Sequence, residues 1–301
     1  MNIVFMGTPD YAKVILEELI ERKFNISLVL TQPDRPVGRK RVLTPPPVKV
    51  LANENSIKVL QPITLNDTKI QDEIKSANPD IIIVAAFGQL LPKEVLDIAP
   101  CINLHASILP EYRGASPIQQ GLLNGDEYLG VTAMLMDEGL DTGDMLGFRF
   151  VKREEIPTLD VAMSVLSKEA AKLTISILKN FNNLNPIKQL NLNATYCKKI
   201  KREDGLVNLD DANTLYRKYC AFIGWPGVYL ENGLKLFGVE IVNLDTKNRA
   251  GEILEVSKNG IKIGCKRGVI SIKEVQPKSK SKMLAKSYLA GQRKGIGDTI
   301  L

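Results

Sequence analysis

The chain has 301 residues and a formal net charge of +6, and 44% of its residues are hydrophobic. This composition is sufficient for a packed core and excludes an intrinsically disordered chain. No apolar run approaches membrane-spanning length, and no basic region precedes the first turn, so neither a membrane span nor a signal peptide is predicted. The four cysteines are widely spaced, which favours reduced thiols in a cytoplasmic protein over disulfides or a zinc site.

The charge is distributed unevenly along the chain. Residues 191–301 contain 20 Lys and Arg against 11 Asp and Glu, whereas residues 1–190 contain 20 against 23. The resulting net charges of +9 and −3 indicate two domains with different partners. A solvated, lysine-rich surface is the alternative explanation of the basic part.

Residues 1 to about 150 alternate between predicted strands and helices, and the strands lack the alternating polarity of half-exposed strands. Strands are expected at Asn2–Met6, Ser27–Leu30, Lys58–Leu60, Asp80–Ala86, Cys101–Leu104 and Val131–Met136. Helices are expected at Tyr11–Arg22, Pro92–Ile98, Pro117–Leu123 and, with an apolar stripe that packs on the sheet, Thr158–Lys179. This alternation predicts a doubly wound α/β sheet of buried parallel strands, in which ligands bind at the carboxyl ends of the strands.

One long connection interrupts the alternation. The stretch from Thr31 to Arg41 is rich in Pro and Gly and continues into Thr44-Pro45-Pro46-Pro47. Four of its residues are basic, namely Arg35, Arg39, Lys40 and Arg41. Because long charged loops are more often functional than simple connections, a mobile basic loop above the strand ends is expected here.

The last third of the chain has a different pattern. The Asn-rich stretch Phe181–Asn193 predicts a linker, and a helix is expected at Asp211–Phe222. Short strands follow at Val228–Leu230, Lys235–Val242, Gly251–Ser257, Gly260–Cys265 and Val269–Val275. Hairpin signals stand at Asn232-Gly233 and Asn259-Gly260. The pattern predicts a small β-barrel of the oligonucleotide-binding (OB) type, and the lysines that trail off its end would form a nucleic-acid surface.

The only histidine of the chain, His105, lies just past a predicted strand end. In an extended strand Asn103 and His105 project to the same face, which places an amide donor beside a group that titrates near neutral pH. The alternative explanation is a structural histidine, hydrogen-bonded at the end of a strand. The position at a strand's carboxyl end favours chemistry.

An acidic cluster, Asp137 to Asp144, follows the strand predicted at Val131–Met136. Its glycines allow the backbone to bend around a small ligand. A solvated acidic turn is the main alternative, while a calcium loop would need a terminal Glu that is missing. With Asn103 and His105, Asp141 forms a set that can stabilise an oxyanion and move a proton. No Cys or Ser is placed as a paired nucleophile, which favours direct displacement at a carbonyl.

Three separated segments resemble, in the same order, the formyltransferases that use 10-formyltetrahydrofolate. They are Asn103-x-His105, Ser107-Ile108-Leu109-Pro110 through Gly114, and Asp141-Thr142-Gly143. The resemblance extends to the methionyl-tRNA formyltransferase family through Phe5–Asp10, Thr31–Pro36 and Trp225-Pro226-Gly227. It implies a Rossmann-like sheet followed by an OB-type barrel. It also implies transfer of a formyl group from 10-formyltetrahydrofolate to the α-amine of methionine on initiator tRNA.

The resemblance also implies roles for individual residues. Asn103, His105 and Asp141 would be catalytic, and no metal would be needed. The folate pocket would be formed by Phe87, Gly88, Leu90, Leu91, Ser107, Leu109, Pro110, Asp137, Gly139 and Asp141. Phe87 stands where Tyr is expected in many relatives. The tRNA would be bound by Arg35, Arg39, Lys40, Arg41, Lys201 and Arg202.

The expected organisation is a catalytic domain over 1–189, a linker over 190–205 and a tRNA-binding domain over 206–301, in a cytoplasmic monomer without a membrane partner. Three other functions are weighed against it. A formyltransferase for a small amine, such as glycinamide ribonucleotide or an amino sugar, needs neither the basic loop nor the basic tail. A non-catalytic RNA-binding protein does not need the set of Asn103, His105 and Asp141. A nicotinamide-dependent enzyme lacks its glycine fingerprint, because Gly7-Thr8-Pro9-Asp10 does not match Gly-x-Gly-x-x-Gly.

Overall fold

In the computed structural model, which describes residues 1–38 and 40–301, the chain divides into two compact units. The first unit consists of Met1–Pro117, Glu127–Ile156 and Val161–Cys197. The second consists of Ile118–Asp126, Pro157–Asp160 and Lys198–Leu301. Along the described ranges, no helix has the length and apolar character needed to cross a membrane.

Up to Cys197 the described chain alternates between strands and helices. The strands are β1 (Asn2–Gly7), β2 (Asn25–Leu30), β3 (Arg35–Val37), β4 (Val42–Thr44), β5 (Val59–Leu60), β6 (Ile81–Ala85), β7 (Cys101–His105), β8 (Arg113–Gly114), β9 (Tyr128–Leu135), β10 (Met145–Lys152) and β11 (Tyr196–Cys197). The helices are α1 (Asp10–Glu21), α2 (Pro47–Glu54), α3 (Thr68–Ser76), α4 (Lys93–Leu96), α5 (Pro117–Asn124) and α6 (Leu159–Asn180). Single 3-10 turns lie at Arg153–Glu155, Phe181–Asn183 and Asn191–Asn193.

The main sheet has seven strands in the order β10-β9-β7-β6-β1-β2-β5. The strands β7, β6, β1, β2 and β5 are parallel. The side chains of β6, Ile81–Ala85, are all buried, which explains why the sequence shows no alternating polarity there. The predicted Rossmann-like α/β sheet is therefore confirmed. His105 is the last residue of β7 rather than the first residue after it.

The strand predicted at Val131–Met136 exists as β9, but the expectation that it is parallel is wrong. It pairs antiparallel with β7, with Met134 opposite Asn103 and Thr132 opposite His105. β10 continues the sheet antiparallel to β9. Six of the eight residues of β9 are buried. Because such a strand is apolar on both faces in either direction, its composition does not reveal its direction.

The basic connection, predicted as a loop, contains two short paired strands, β3 and β4, which we call the hairpin. β3 pairs antiparallel with β4, and Pro36 lies opposite Leu43. The carboxylate of Asp34 anchors its base by accepting hydrogen bonds from Lys49 Nζ at 2.9 Å and from Gln61 Nε2 at 2.7 Å. The bond from Lys49 is the main cause that holds the pKa of Asp34 below its usual value.

The Asn-rich stretch expected as a linker belongs to the first unit. Gln189 lies within this stretch and is buried. Further along, β11 pairs parallel with β8, and Arg113 N donates to Thr195 O at 2.9 Å. Composition signalled an irregular segment, but it gave no sign of these long-range contacts.

The second unit contains an antiparallel β-sheet after a 3-10 turn at Arg202–Gly205. Besides most of α5, its helices in the described chain are α7 (Ala212–Ala221) and α8 (Ala285–Gly291). Its strands are β12 (Val228–Tyr229), β13 (Lys235–Lys247), β14 (Ile253–Ser257), β15 (Gly260–Gly264), β16 (Arg267–Gln276) and β17 (Met283–Leu284). The order is β12-β13-β16-β15-β14, with β17 also paired to β16.

This sheet confirms the antiparallel β-fold predicted for the last third of the chain. The two predicted hairpins are present, since Tyr229 pairs with Lys235 and Ser257 pairs with Gly260. The lysine-rich end, expected as a nucleic-acid surface, was given no helix or strand in the prediction. It forms β17 and α8, and the buried Leu289 anchors α8.

Candidate active site

The side chains of Asn103, His105 and Asp141 meet at the carboxyl end of β7. Asp141 Oδ1 lies 3.6 Å from His105 Nδ1 and accepts a hydrogen bond from Asn103 Nδ2 at 3.4 Å. The side chain of His105 is 6% exposed and that of Asp141 is 11% exposed, whereas Asn103 is half-buried. The three residues selected from the sequence thus form one polar cluster in the first unit, and Asn103 is more exposed than His105.

The imidazole of His105 faces an acceptor on each side. Its Nε2 lies 2.9 Å from Tyr112 O. Because a carbonyl oxygen only accepts hydrogen bonds, Nε2 carries a proton. Nδ1 faces the carboxylate of Asp141 at an ion-pair distance that is longer than an ordinary hydrogen bond. Nδ1 is therefore the ring nitrogen that is less firmly engaged.

Asp141 reaches His105 by a route that the sequence did not indicate. β9 ends at Leu135, opposite Ile102, which is three residues before His105 along β7. The loop after β9 returns along β7, and Asp141 in it has a left-handed backbone with φ of 54°. A Cβ atom at Gly143 would lie 1.6 Å from Leu135 O, so the return requires a glycine there.

The backbone around Gly114 orients the carboxylate. Gly114 N donates to Asp141 Oδ2 at 2.8 Å, which leaves Oδ1 toward the imidazole. Gly114 has φ of 116°, and a Cβ atom there would lie 2.4 Å from Cys197 O. This close passage of β8 against β11 explains the glycine that ends the segment Ser107 to Gly114.

The segment after β7 is fixed by one buried hydroxyl. Thr132 Oγ1 donates to Ser107 O at 2.7 Å and accepts from Leu109 N at 3.0 Å. The hydroxyl of Ser107 donates to Glu111 O at 2.5 Å. Ser107 is buried, and its hydroxyl is engaged in this turn.

The cysteines are also poor nucleophiles here. Burial raises the pKa of the Cys101 thiol to about 12, and burial is the main cause that raises the pKa of Cys197. A thiol whose pKa is raised in this way holds little of the reactive thiolate at neutral pH. In the part of the chain that the structure describes, no group of three or more His, Cys, Asp and Glu side chains could hold a metal ion.

The residues expected in the folate pocket differ in burial, and Pro110 and Asp141 are half-buried. The side chains of Phe87, Leu91, Ser107 and Leu109 are buried. Gly88, Leu90, Asp137 and Gly139 are exposed, with Leu90 at 75%. The segment Phe87–Leu91 begins two residues after β6, next to β7, at the same edge of the sheet as His105. In this segment Gly88 and Leu90 are exposed, whereas the ring of Phe87 is buried.

The residues expected to bind tRNA lie on the surface of both units. Arg35, Lys40 and Arg41 are exposed on the hairpin of the first unit, while Arg39 lies outside the described residues. Lys201 and Arg202 are exposed in the second unit. Lys201 Nζ lies 3.8 Å from Glu203 Oε1, a contact between two well-exposed side chains that adds little to stability.

Sequence reasoning missed two residues that support the site, Arg113 and Gln189. Both are buried, and Gln189 Oε1 accepts from Arg113 Nη2 at 2.8 Å. Gln189 Nε2 donates to Asp141 O at 3.0 Å and to Gly143 O at 2.7 Å. Arg113 falls inside the motif Ser107 to Gly114, so its position carried a signal. Gln189 carried none, because it lies in the Asn-rich stretch that predicted a linker.

Comparisons with known proteins agree over both units. The formyl transferase family profile matches residues 1–168, and the profile of the formyl transferase C-terminal domain matches residues 199–293. A methionyl-tRNA formyltransferase of a Nitratiruptor species is 52% identical over 99% of this chain and 99% of its own. One of a Sulfurovum species is 54% identical over 100% of this chain and 99% of its own.

A solved structure supports the fold. The N-formyltransferase from Helicobacter canadensis, in complex with folinic acid and dTDP-3-aminofucose, superposes with a TM-score of 0.70. It is 18% identical and covers 93% of this chain and 99% of its own.

Proposed function

The chain belongs to the formyl transferase family, and we propose that its formyl acceptor is the α-amino group of methionine on initiator tRNA, with 10-formyltetrahydrofolate as the donor. Two relatives that match nearly the whole chain are named for the methionyl-tRNA substrate. The observation that carries the mechanism is the convergence of Asn103, His105 and Asp141 in one polar cluster.

The first step is attack of the methionine amine on the formyl carbon. A carbon–nitrogen bond forms, and the carbonyl oxygen gains negative charge. Asn103 is the more open donor of the cluster, so its second amide hydrogen is placed to stabilise that oxygen. A donor of this kind contributes about 100- to 1,000-fold to the rate. His105 adds positive charge beside the site when both of its nitrogens are protonated.

The second step is collapse of the intermediate. The bond from the formyl carbon to N10 breaks, and the nitrogen of the donor leaves with one proton. The amine loses one proton in the same reaction, so the two balance. Asp141 is the base that accepts the amine proton, and His105 Nδ1 exchanges a proton with it across 3.6 Å. No nucleophile of the chain forms a covalent intermediate, consistent with the engaged hydroxyl of Ser107.

The folate pocket is proposed at the edge of the sheet that holds His105. Gly88, Leu90, Asp137 and Gly139 are exposed, which supports their access to a ligand. The buried members of the predicted set, Phe87, Leu91, Ser107 and Leu109, would shape this pocket through their backbone and from beneath, while Pro110 and Asp141 complete the set. The N-formyltransferase from Helicobacter canadensis is in complex with folinic acid, a folate, which supports a folate in this fold.

The tRNA is proposed to bind to basic surfaces in both units. On the hairpin these are Arg35, Lys40 and Arg41, together with Arg39 from the sequence, and in the second unit Lys201 and Arg202. The net charge of +9 over residues 191–301 supports a role of the antiparallel sheet in binding phosphates. The catalytic domain over 1–189, the linker over 190–205, the OB-type domain over 206–301, the monomeric state and the cytoplasmic location stay predictions within this proposal. Of the predicted linker, the residues up to Cys197 belong to the first unit.

A formyl-transfer assay tests the proposal directly. Purified protein and 10-formyltetrahydrofolate would be offered methionyl initiator tRNA, uncharged tRNA, free methionine and glycinamide ribonucleotide in parallel. The proposal expects formylation of the charged tRNA alone. Formylation of the ribonucleotide would instead assign a small-amine substrate. No transfer to any acceptor, with tRNA still bound, would favour a non-catalytic RNA-binding protein.

A further inference from the structure

The side-chain amide of Gln189 connects the loop that holds Asp141 with a buried guanidinium group. Its Nε2 donates to Asp141 O at 3.0 Å and to Gly143 O at 2.7 Å. Its Oε1 accepts from Arg113 Nε at 3.1 Å and from Arg113 Nη2 at 2.8 Å. Gln189 is 5% exposed and Arg113 is 1% exposed, so these bonds are shielded from water.

Only an amide satisfies both sides of this contact. A guanidinium group can only donate hydrogen bonds, and a backbone carbonyl can only accept them. The group between them must therefore accept on one side and donate twice on the other, which a glutamine does in a single orientation. A carboxylate of the same shape would satisfy Arg113 but would face two carbonyl oxygens without a hydrogen to share.

The loop that Gln189 holds is one that needs support. Asp141 has φ of 54°, a backbone conformation that residues other than Gly seldom adopt. The two carbonyls that accept from Gln189 belong to Asp141 itself and to Gly143. The orientation of the carboxylate toward His105 therefore depends on a segment that follows the main sheet by more than thirty residues.

We propose that Gln189 is a positioning residue, which fixes Asp141 against His105 by holding the loop backbone and is itself held by Arg113. The part of the proposal that concerns the reaction rate rests on the proposed formyl transfer. The part that concerns the position of Asp141 against His105 does not depend on that function. Gln189 is buried and bonded to the backbone of the loop, so it acts through Asp141.

Two variants with the same chemical change form the test. Q189E replaces the amide by a carboxylate that keeps the contacts with Arg113 and loses both donations to the loop. N191D makes the same replacement at Asn191, whose Oδ1 also accepts from Arg113 Nη2, at 3.0 Å, and whose side chain makes no hydrogen bond to the described residues of the loop. Q189M, which removes all of these bonds at similar length, is measured beside them, and circular dichroism verifies that each variant is folded.

The kinetic readout separates positioning from substrate binding. With methionyl initiator tRNA and 10-formyltetrahydrofolate, kcat of Q189E and Q189M is expected to fall roughly 10- to 100-fold, the size expected for a displacement of about 1 Å. The KM for each substrate is expected to stay within about twofold of the wild type, and N191D to keep the wild-type kcat. A wild-type kcat in Q189E, or an equal loss in Q189E and N191D, would overturn the proposal.

The spectroscopic readout needs no activity. His105 is the only histidine of the chain, so a protein labelled with 15N at histidine gives one imidazole spin system. The proposal expects this signal to shift in Q189E and to coincide with the wild type in N191D. An unmoved signal in Q189E would overturn it. If the wild-type protein does not formylate methionyl-tRNA, the proposed substrate fails, and the imidazole signal still decides the role of Gln189.

Discussion

Gly114 N donates a hydrogen bond of 2.8 Å to Asp141 Oδ2, while the other oxygen of that carboxylate lies 3.6 Å from His105 Nδ1. The backbone of β8 thus decides which oxygen of Asp141 faces the imidazole. A single carboxylate connects the lone histidine to the glycine that ends the segment Ser107 to Gly114. The charge of Asp141, the imidazole of His105 and the glycine at position 114 can therefore be tested by separate substitutions.

Replacing the charge of Asp141 should remove most of the activity. In D141N the amide has the size of the carboxylate but cannot accept the proton of the attacking amine. A loss of about 100- to 10,000-fold in kcat is expected for methionyl-tRNA formylation. D144N, at the end of the same loop, is the matched control and should stay within about twofold of the wild type. Activity in D141N close to that of D144N would exclude Asp141 as the base.

Removing the imidazole should separate chemistry from tRNA binding. H105A is expected to reduce formyl transfer by at least about 100-fold, because it removes both a proton-exchanging group and a positive charge. The basic surfaces are untouched, so the Kd for tRNA in a filter-binding assay should remain near the wild-type value. A variant that formylates at nearly full rate would refute the mechanism. A variant that loses tRNA binding would show that His105 serves the fold instead.

Adding one methyl group at Gly114 should damage both stability and activity. A Cβ atom there would lie 2.4 Å from Cys197 O, and φ is 116°. Strain of this kind costs on the order of 1–3 kcal/mol before the collision is counted. G297A is the control, because Gly297 also has a positive φ, 88°, and no atom within 4 Å of its Cβ position. Thermal unfolding should show a larger loss for G114A; an equal loss in both variants would mean that the collision is relieved.

Local patterns predicted the main sheet and the polar cluster. The apolar runs of β1 and β6 are continuous because these strands are buried on both faces, and this is a property of the sequence alone. Asn103 and His105 share a face because strand side chains alternate. Because the chain has a single histidine, the sequence alone identifies this face as a candidate site.

Features that depend on distant partners could not be predicted in this way. The direction of β9 depends on which strand it joins, and its burial is the same in either direction. Gln189 is buried because Arg113, 76 residues away, needs an acceptor, while its neighbours Asn191 and Asn193 gave the stretch the composition of a linker. The hairpin of β3 and β4 was hidden by Pro36 and Gly38, residues that ordinarily argue against strands.

The basic hairpin should contribute to tRNA affinity in a salt-dependent way. K40A and R41A each remove one exposed positive charge from the hairpin. If each side chain neutralises one phosphate, the slope of log K against log salt should decrease by roughly 0.7–0.9 per substitution. K172A removes a lysine whose Nζ lies 2.6 Å from Glu169 Oε1 on α6, and it should leave the slope unchanged. Equal slopes for all three variants would show that the hairpin is not part of the tRNA interface.

The N-terminus of α7 should make the second unit sensitive to acid. Asp211 Oδ1 accepts from Thr214 N at 2.7 Å, and this bond is the main cause that lowers the pKa of Asp211. Because the pKa is lower in the folded state, the stabilisation is fully present above the unfolded value of about 3.9. It is lost as the pH falls through the folded pKa.

Two variants distinguish the contribution of the hydrogen bond that caps α7 from that of the negative charge of Asp211. D211A should lower the free energy of unfolding at pH 7 by about 0.5–2 kcal/mol, because a donor of the first turn loses its acceptor. D211N keeps an acceptor, so it should lose less at pH 7 and should lack the acid-dependent part below about pH 4. Urea unfolding followed by the fluorescence of Trp225, the only tryptophan and a residue of the second unit, measures both. If D211A and the wild type have the same free energy of unfolding at pH 7, the cap does not contribute to stability. If the free energy of unfolding of D211N depends on pH below 4 as that of the wild type does, the carboxylate is not the source of the acid sensitivity.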